Sequence, residues 1–294
     1  MDRQRAITYI LLTISMALWG GTWIAGRVLA QSMTPVNAAL LRFALASAFL
    51  VIACRMTTGK LPRLTWKQLP GTLALGATGV FLYSLFFFNG LKTITAGRAA
   101  LIVACIPACI SALSAILYKE HFGPLRILGT LLSLAGVAVV ISDGDPLALI
   151  RDGIHVGDLL ILGCVASWTA YTLCGRQVMK SMHPVSAVTW SCVFGMLMLL
   201  PVALLSGLVT ETLSASPLDW LCLVFLGTLA TGLAYLWYYN AIKTLGASRA
   251  AIFINLVPVF AVALGALLLA EPVHTSLVIG GATVITGVWL TNRP

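Results

Sequence analysis

The chain has 294 residues, 60% hydrophobic and 9% charged, with a mean hydropathy of +0.99 and a formal charge of +9. Nine acidic and eighteen basic side chains cannot cover a water-soluble body of this size, so a soluble fold is excluded. In a soluble protein this positive excess would point to nucleic acid; here no basic block exceeds a few residues, and the excess fits Lys and Arg retained at one membrane face.

A helix needs about 20 mainly apolar residues to cross a hydrocarbon core of about 30 Å. The first such stretch, 6–30, follows Arg3 and Arg5 as a signal peptide would. It is too long for a simple apolar signal region and further spans follow, so it is expected to be retained. The next spans are predicted over 35–56, 69–91, 96–118 and 124–142. A polar joint over 143–156 then separates them from spans at 157–179, 184–206, 217–241, 247–269 and 274–292. Pro35, Pro124, Pro184 and Pro217 stand at or near helix starts, where a missing backbone N–H costs little. The expectation is an all-α polytopic membrane protein of ten transmembrane helices, in two units, 1–146 and 147–294.

Orientation follows from the bases. With the amino terminus inside, thirteen Lys and Arg fall on the cytoplasmic side, four (Arg27, Lys92, Arg98, Arg151) on the other, and Arg42 within a span. Most acids lie opposite. Both termini are therefore expected in the cytoplasm of a bacterial-type cell, with the protein in the inner membrane.

The two units are copies. A shift of 149 residues lays Trp19 on Trp168, Gly26-Arg27 on Gly175-Arg176 and Pro35-Val36 on Pro184-Val185. A shift of 151 lays Asn89 on Asn240, Lys92-Thr93 on Lys243-Thr244, Arg98 on Arg249, Pro107 on Pro258, Glu120 on Glu271, Gly129 on Gly280 and Gly136 on Gly287. Each unit holds five predicted spans, an odd number, so the copies must insert in opposite directions. Such inverted repeats place a substrate site near the midplane, between halves that open alternately.

Trp19-Gly20-Gly21-Thr22-Trp23, Pro35 and Arg42-Phe43 resemble the opening of the EamA-type drug/metabolite transporter family. So do Ala247-Ser248-Arg249-Ala250-Ala251, Pro258 and Ala270-Glu271-Pro272. The resemblance covers nearly the whole chain. It implies ten helices, cytoplasmic termini and export of amino acids or other small metabolites, and aromatic amino acid exporters are nearest in size and aromatic content. The family's sugar, nucleotide-sugar and cation transporters keep organic cations, drugs and sugar-type cargo as alternatives.

Trp19 and Trp23 lie four residues apart on one helical face, and Trp168 and Tyr171 hold similar places in the sixth span. Membrane tryptophans usually mark the interfacial belt, but Trp19 and Trp168 fall near span centres. Each indole N–H must find a partner or face a wet cavity; cavity lining is the reading taken, interhelical packing the alternative. Among the aromatics of the third and eighth spans, Tyr83, Tyr235 and Trp237 are the expected cavity members. Asn255, about one turn before Pro258, would sit deep beside a carbonyl freed by the proline, or bond a neighbouring helix instead. The substrate-binding set is thus Trp19, Trp23, Tyr83, Trp168, Tyr171, Tyr235, Trp237 and Asn255, with Pro107 and Pro258 as hinges or fixed bends.

Arg42 could attract a carboxylate or act as a structural post bound to backbone carbonyls, the latter being favoured. Glu120 and Glu271 are expected to cap the helix that follows each of them. No acid lies well inside a span, which argues for passive or exchange transport over carboxylate-based proton coupling. Gly129, Gly136, Gly280, Gly281 and Gly287 should let helices approach closely. The seven cysteines form no C-x-x-C pair and read as small packing residues. No H-E-x-x-H, G-x-S-x-G or Walker motif is present, so an enzyme is not expected, nor a metal or cofactor; a channel is the remaining rival. The expected partners are a small-molecule substrate and membrane lipid, not nucleic acid, for a monomer or weak homodimer.

Overall fold

A computed structural model describes residues 3–58, 63–118, 123–145, 154–245, 253–254 and 256–291. Among these residues every regular element is a helix. The first half holds α1 (Arg3–Ser32), α2 (Pro35–Thr58), α3 (Leu69–Leu91), α4 in two pieces (Ala96–Val103 and Ile106–Tyr118) and α5 (Pro124–Ile141). The second holds α6 (Val156–Val178), α7 (Pro184–Leu205), α8 (Pro217–Val224 continuing through Phe225–Leu233 and Ala234–Leu245), α9 (Leu256–Leu269) and α10 (Thr275–Thr291). Eight of the ten are long and apolar enough to cross a bilayer by length and composition, and α9 and α10 are shorter apolar helices. The short helix Leu208–Ser214, which follows Gly207 in the left-handed conformation (φ 75°), was not among the predicted elements.

Hydrogen bonds link the end of α1, the end of α5 and the starts of α2, α4, α6 and α8 at one face, called here the far face; the opposite one is the near face. The repeat is visible in how the helices are built. Gly76–Leu82 of α3 and Phe225–Leu233 of α8 are both π-helical, at positions that coincide under the 151-residue shift. A π-turn bonds five residues back and so leaves local carbonyls free for other partners; the Thr231 hydroxyl, for example, donates to the Leu226 carbonyl at 2.7 Å.

The proline bends also coincide. Helix α4 breaks at Ala104–Cys105, just before Pro107, and the turn at Ile254 precedes Pro258 in the same way. Each proline thus stands in the first turn of a fresh helical piece, where its missing N–H was not needed. The outer piece of α4 packs on α9 and α6, and the inner piece on α6, α5 and α10.

Helices α5 and α10 pack on one another along their length, backbone to backbone. A Cβ on Gly136 would lie 2.6 Å from the Val284 nitrogen, and one on Gly287 would lie 2.6 Å from the Gly129 carbonyl. Glycines seven residues apart on each helix therefore set the contact distance, as small residues do where apolar lipid gives helices no other reason to associate. These two helices stand at one side. The buried core lies chiefly among α1 to α4, α6 and α8.

Candidate functional site

A run of aromatic rings crosses from one half to the other. Trp23 of α1 packs on Phe87 of α3 with centroids 5.1 Å apart, and Phe87 stacks with Tyr83 at 6.0 Å. Tyr83 meets Trp168 of α6 at 5.3 Å, and Trp168 meets Tyr171 at 5.0 Å. A second group joins Trp19 to Tyr235 and Tyr238 of α8 at 5.3 and 5.2 Å. Such tilted and offset pairs suit the ring quadrupoles. Trp23 and Phe87 are buried, whereas Trp19, Tyr83, Trp168, Tyr171 and Tyr235 keep partial exposure.

The two equivalent tryptophans are held differently. The Trp19 indole Nε1 donates to the Ala230 carbonyl at 3.0 Å, inside the π-helical segment of α8. In the matching interface of α6 with α3, the neighbouring Ser167 hydroxyl donates to the Thr78 carbonyl at 2.7 Å, inside the π-helical segment of α3. Ser167 thereby does for one half what Trp19 does for the other. The Trp168 indole has no hydrogen bond among the described residues, and its ring is left between Tyr83 and Tyr171. Tyr171 in turn lies directly over Gly79, in a space that a Cβ would fill.

Of the other expected members, Trp237 is partly exposed and joins no ring contact among the described residues. Asn255 lies outside the described residues, as does Glu120. The Asn89 amide donates within its own helix, to the Leu85 carbonyl at 2.8 Å.

Arg42 enters the same region from α2, about 10 Å below the start of its helix at 1.5 Å per residue. Its guanidinium lies 5.0 Å from the Phe43 ring centroid and 5.7 Å from that of Phe87. Among the described residues the carbonyl partners expected of a structural post are missing at Nε and Nη1, which are buried with no hydrogen-bond partner. The physical reason is local, since the groups around it are aromatic faces, which attract a cation but accept no N–H bond in the manner of a carbonyl.

At the far face the carboxylates act as ties between helices. Glu271 does not cap α10, the helix that follows it. Its Oε1 and Oε2 accept from the Ala96 and Gly97 backbone nitrogens, at 2.8 and 3.2 Å, at the start of α4 in the other half. Ala270 explains the correction: its left-handed backbone (φ 52°) turns the chain back, and Gly265 leaves the room into which the carboxylate folds, a Cβ there standing 2.7 Å from Oε2. Glu211 accepts from the Thr34 nitrogen and the Asn37 amide, each at 2.9 Å, and from the Thr34 hydroxyl, at the start of α2. Burial raises the Glu211 carboxyl, but these hydrogen bonds outweigh it and hold the group below the usual carboxylate range. Asp219 completes a capping box with Ser216 and also takes the Ser32 hydroxyl.

Arg98 is the centre of the largest tie. Its Nε and Nη2 donate to the two oxygens of Asp158, each at 2.8 Å, and its Nη1 to Asp143 at 2.8 Å, with the Ile141 carbonyl as a further acceptor. Asp158 is 0% exposed. This pair joins α4, α5 and α6 and was not singled out from the sequence, although both residues stand third in their helices. The π-helical segments were also missed; paired glycines at Gly76 and Gly227 were the available signal. The cysteines are free, and no group of three or more metal-ligating side chains converges among the described residues.

Against known proteins, the model of the EamA-like transporter family matches twice, over residues 6–142 and 155–293. The uncharacterized transporter YyaM of Bacillus subtilis is 30% identical over 95% of this chain and 92% of its own length. An uncharacterized transporter of Archaeoglobus fulgidus is 29% identical over 97% and 98%. A probable terminal-alkyne amino-acid exporter of Streptantibioticus cattleyicolor is 25% identical over 100% and 95%. One solved crystal structure shares the fold, with a TM-score of 0.64 at 21% identity over 97% of each chain.

Proposed function

The chain belongs to the EamA-like transporter family, and from that premise we propose that it exports a small metabolite of the amino-acid class, with an aromatic or apolar side chain, across the inner membrane. It is a multi-pass membrane transporter and not an enzyme, as its family and relatives are. The observation that carries the finer reading is the aromatic run from Trp23 through Tyr83 to Trp168 and Tyr171, which is contributed by both halves. Partly exposed rings there offer an apolar side chain flat surfaces to pack on. Trp19, Trp23, Tyr83, Trp168, Tyr171, Tyr235, Trp237 and Asn255 are the proposed binding side chains. The amino-acid class is further supported by the exporter from Streptantibioticus, whose cargo is named as such. Organic cations, which aromatic faces would also attract, are opposed by the positive charge of Arg42.

In this reading the halves 1–146 and 147–294 are inverted copies, the near face is cytoplasmic, and both termini lie there. The far face is then the outer one. Glu271 on α4, Glu211 on α2 and Asp219 on Ser32 tie the two halves together there, so the arrangement is closed to the outside. The break before Pro107 lets the inner piece of α4, Ile106–Tyr118, move while the outer piece, Ala96–Val103, stays docked. Alternating access then needs only that the outer ties exchange for inner ones as cargo crosses. Exchange or passive movement fits a set of spans with no acid near the midplane.

The test is counterflow in proteoliposomes loaded with unlabelled phenylalanine, leucine, a sugar or an organic cation. Saturable accumulation of labelled amino acid against preloaded amino acid is expected. Flux that is linear in concentration, with no counterflow, would instead indicate a channel. Accumulation driven by sugar or cation alone would refute the amino-acid class.

A further inference from the structure

We infer that Arg42 is the receptor for a carboxylate on the cargo, so that the transporter selects small monoanionic or zwitterionic carboxylates with an apolar body. The inference rests on the proposed aromatic site and names what that site recognises.

The starting point is a charge without a counter-charge. Arg42 is 9% exposed, and its Nε and Nη1 are sealed from solvent with no acceptor. Two of its three nitrogens have thus lost their water and gained no hydrogen bond among the described residues, a state that folded proteins rarely keep unless something else supplies the partner. The rings of Phe43 and Phe87 compensate the charge in part by cation–π attraction. They offer no lone pairs to the planar N–H fork.

The described residues do not supply the missing acceptor. Among the described residues, the carboxylates of Asp143 and Asp158 are taken by Arg98, that of Glu211 by Thr34 and Asn37, that of Asp219 by Ser32 and Ser216, and that of Glu271 by the start of α4, while Asp145, beside Asp143, is engaged as well. All of these lie at the far face. Arg42 stands apart from them, on the aromatic side, with Tyr83 of one half and Tyr235 of the other within electrostatic reach. Its repeat equivalent is Ser191, whose hydroxyl is spent on the Val188 carbonyl at 2.8 Å. The positive charge is thus a feature of one half only and not a demand of the fold.

Two properties of the group define its ligand. A guanidinium fork matches a carboxylate with two parallel hydrogen bonds, a geometry that an ammonium cannot reproduce. A single unpaired cation balances one negative charge, which suits a carboxylate better than a phosphate dianion. From Arg42 the rings continue through Phe87 and Tyr83 to Trp168, from the sealed end of the run to its partly exposed end. A carboxylate at Arg42 would leave the apolar body of the same molecule against Tyr83 and Trp168.

Ligand-induced thermal stabilisation of the purified full-length protein in detergent tests this with three probes of one shape: phenylalanine, 3-phenylpropionate and phenylalaninamide. The wild type should bind the two acids about 10- to 100-fold more tightly than the amide, the span expected of charge-assisted hydrogen bonds. Arg42→Met should abolish that preference and leave the ligand-free melting temperature unchanged or higher, because the lost guanidinium had no bonds to lose. Arg42→Lys should keep a reduced preference, and it provides the same comparison if the methionine variant does not fold. The inference is overturned if the amide binds the wild type as well as the acids do, if neither acid binds, or if the lysine and methionine variants keep the full preference. Counterflow separates this from the reading beneath it. Phenylalanine moved without preference for the carboxylate sinks the receptor alone; 3-phenylpropionate bound and phenylalanine not moved sinks the amino-acid class and leaves the receptor standing.

Discussion

At the far face Arg98 meets two carboxylates and a carbonyl, whereas Arg42 meets only aromatic faces. Both residues belong to the first half, both are 9% exposed, and both sit within apolar helices. The difference lies in what surrounds them. Around Arg98 the first turns of α4 and α6 and the end of α5 converge, and helix ends carry the polar groups that a buried charge needs. Arg42 lies in the body of α2, where the backbone of its own helix is already bonded to itself, and no carbonyl of a neighbouring helix bonds its Nε or Nη1 among the described residues. A cation there can be satisfied only by a side chain or by a visitor. The pairing of one and the isolation of the other separate a charge that holds helices together from a charge held ready.

The largest effect expected from this contrast is at Arg98. Arg98→Met leaves Asp158 as a buried, unpaired carboxylate, which costs about 3–5 kcal/mol in the measured cases of broken buried pairs. A clear fall in melting temperature of the purified protein is expected, partly restored when Asp158→Leu is added, because the double change removes both charges together. Arg42→Met, of the same size and chemistry, should show no such fall. Equal losses at the two sites would erase the distinction between them.

Much of this was legible in the sequence, and the parts that were not share a cause. Hydropathy placed the apolar helices, and Pro107 marked the break in α4 because a proline's effect on its own helix is local. That α5 and α10 would each approach a neighbour closely could be read from Gly129, Gly136, Gly280 and Gly287, but not that they are each other's partner. What escaped were the partners of polar groups. Glu271 was expected to serve the next helix in the chain and instead serves α4, some 175 residues away in sequence. Ser167 gave no sign that it would take the bonding role of Trp19, since the switch depends on which carbonyl of a π-turn is left open on another helix. Patterning within one helix is written in one stretch of chain; a tertiary hydrogen bond is written in two.

The pair Trp19 and Trp168 offers an intermediate effect. Trp19→Phe removes the donor to the Ala230 carbonyl and should cost about 1–3 kcal/mol of stability, the range for a buried group left without its partner. Trp168→Phe removes an N–H that bonds nothing described and should leave the melting temperature nearly unchanged. In transport the order reverses. Trp168→Ala deletes the ring between Tyr83 and Tyr171, two aromatic contacts that together support roughly a tenfold change in cargo affinity, while expression persists. Counterflow kinetics in proteoliposomes measure the second effect and melting in detergent the first. Should Trp168→Ala leave cargo kinetics untouched, the free indole has no part in binding and the asymmetry is one of packing alone.

The smallest effect belongs to Glu211, which ties the short helix Leu208–Ser214 to the start of α2. Its carboxyl is held below the usual range, so the folded state binds its proton less readily than the unfolded chain does. The stability it contributes is then fully present above the ordinary carboxylate pKa and is lost as pH falls through the lower, folded value. Because solvent reaches the group, the contribution should stay below about 1 kcal/mol. Melting followed from neutral to acidic pH should show the wild type above Glu211→Gln near neutrality, with the gap closing only at the acid end. The amide keeps one accepting oxygen for the Thr34 nitrogen and the Asn37 amide but loses the second acceptor and the charge toward the start of α2, so the gap that closes with acid reports the ionised carboxylate. A gap that is constant across the range would mean that the carboxylate matters there only for its shape and its hydrogen bonds.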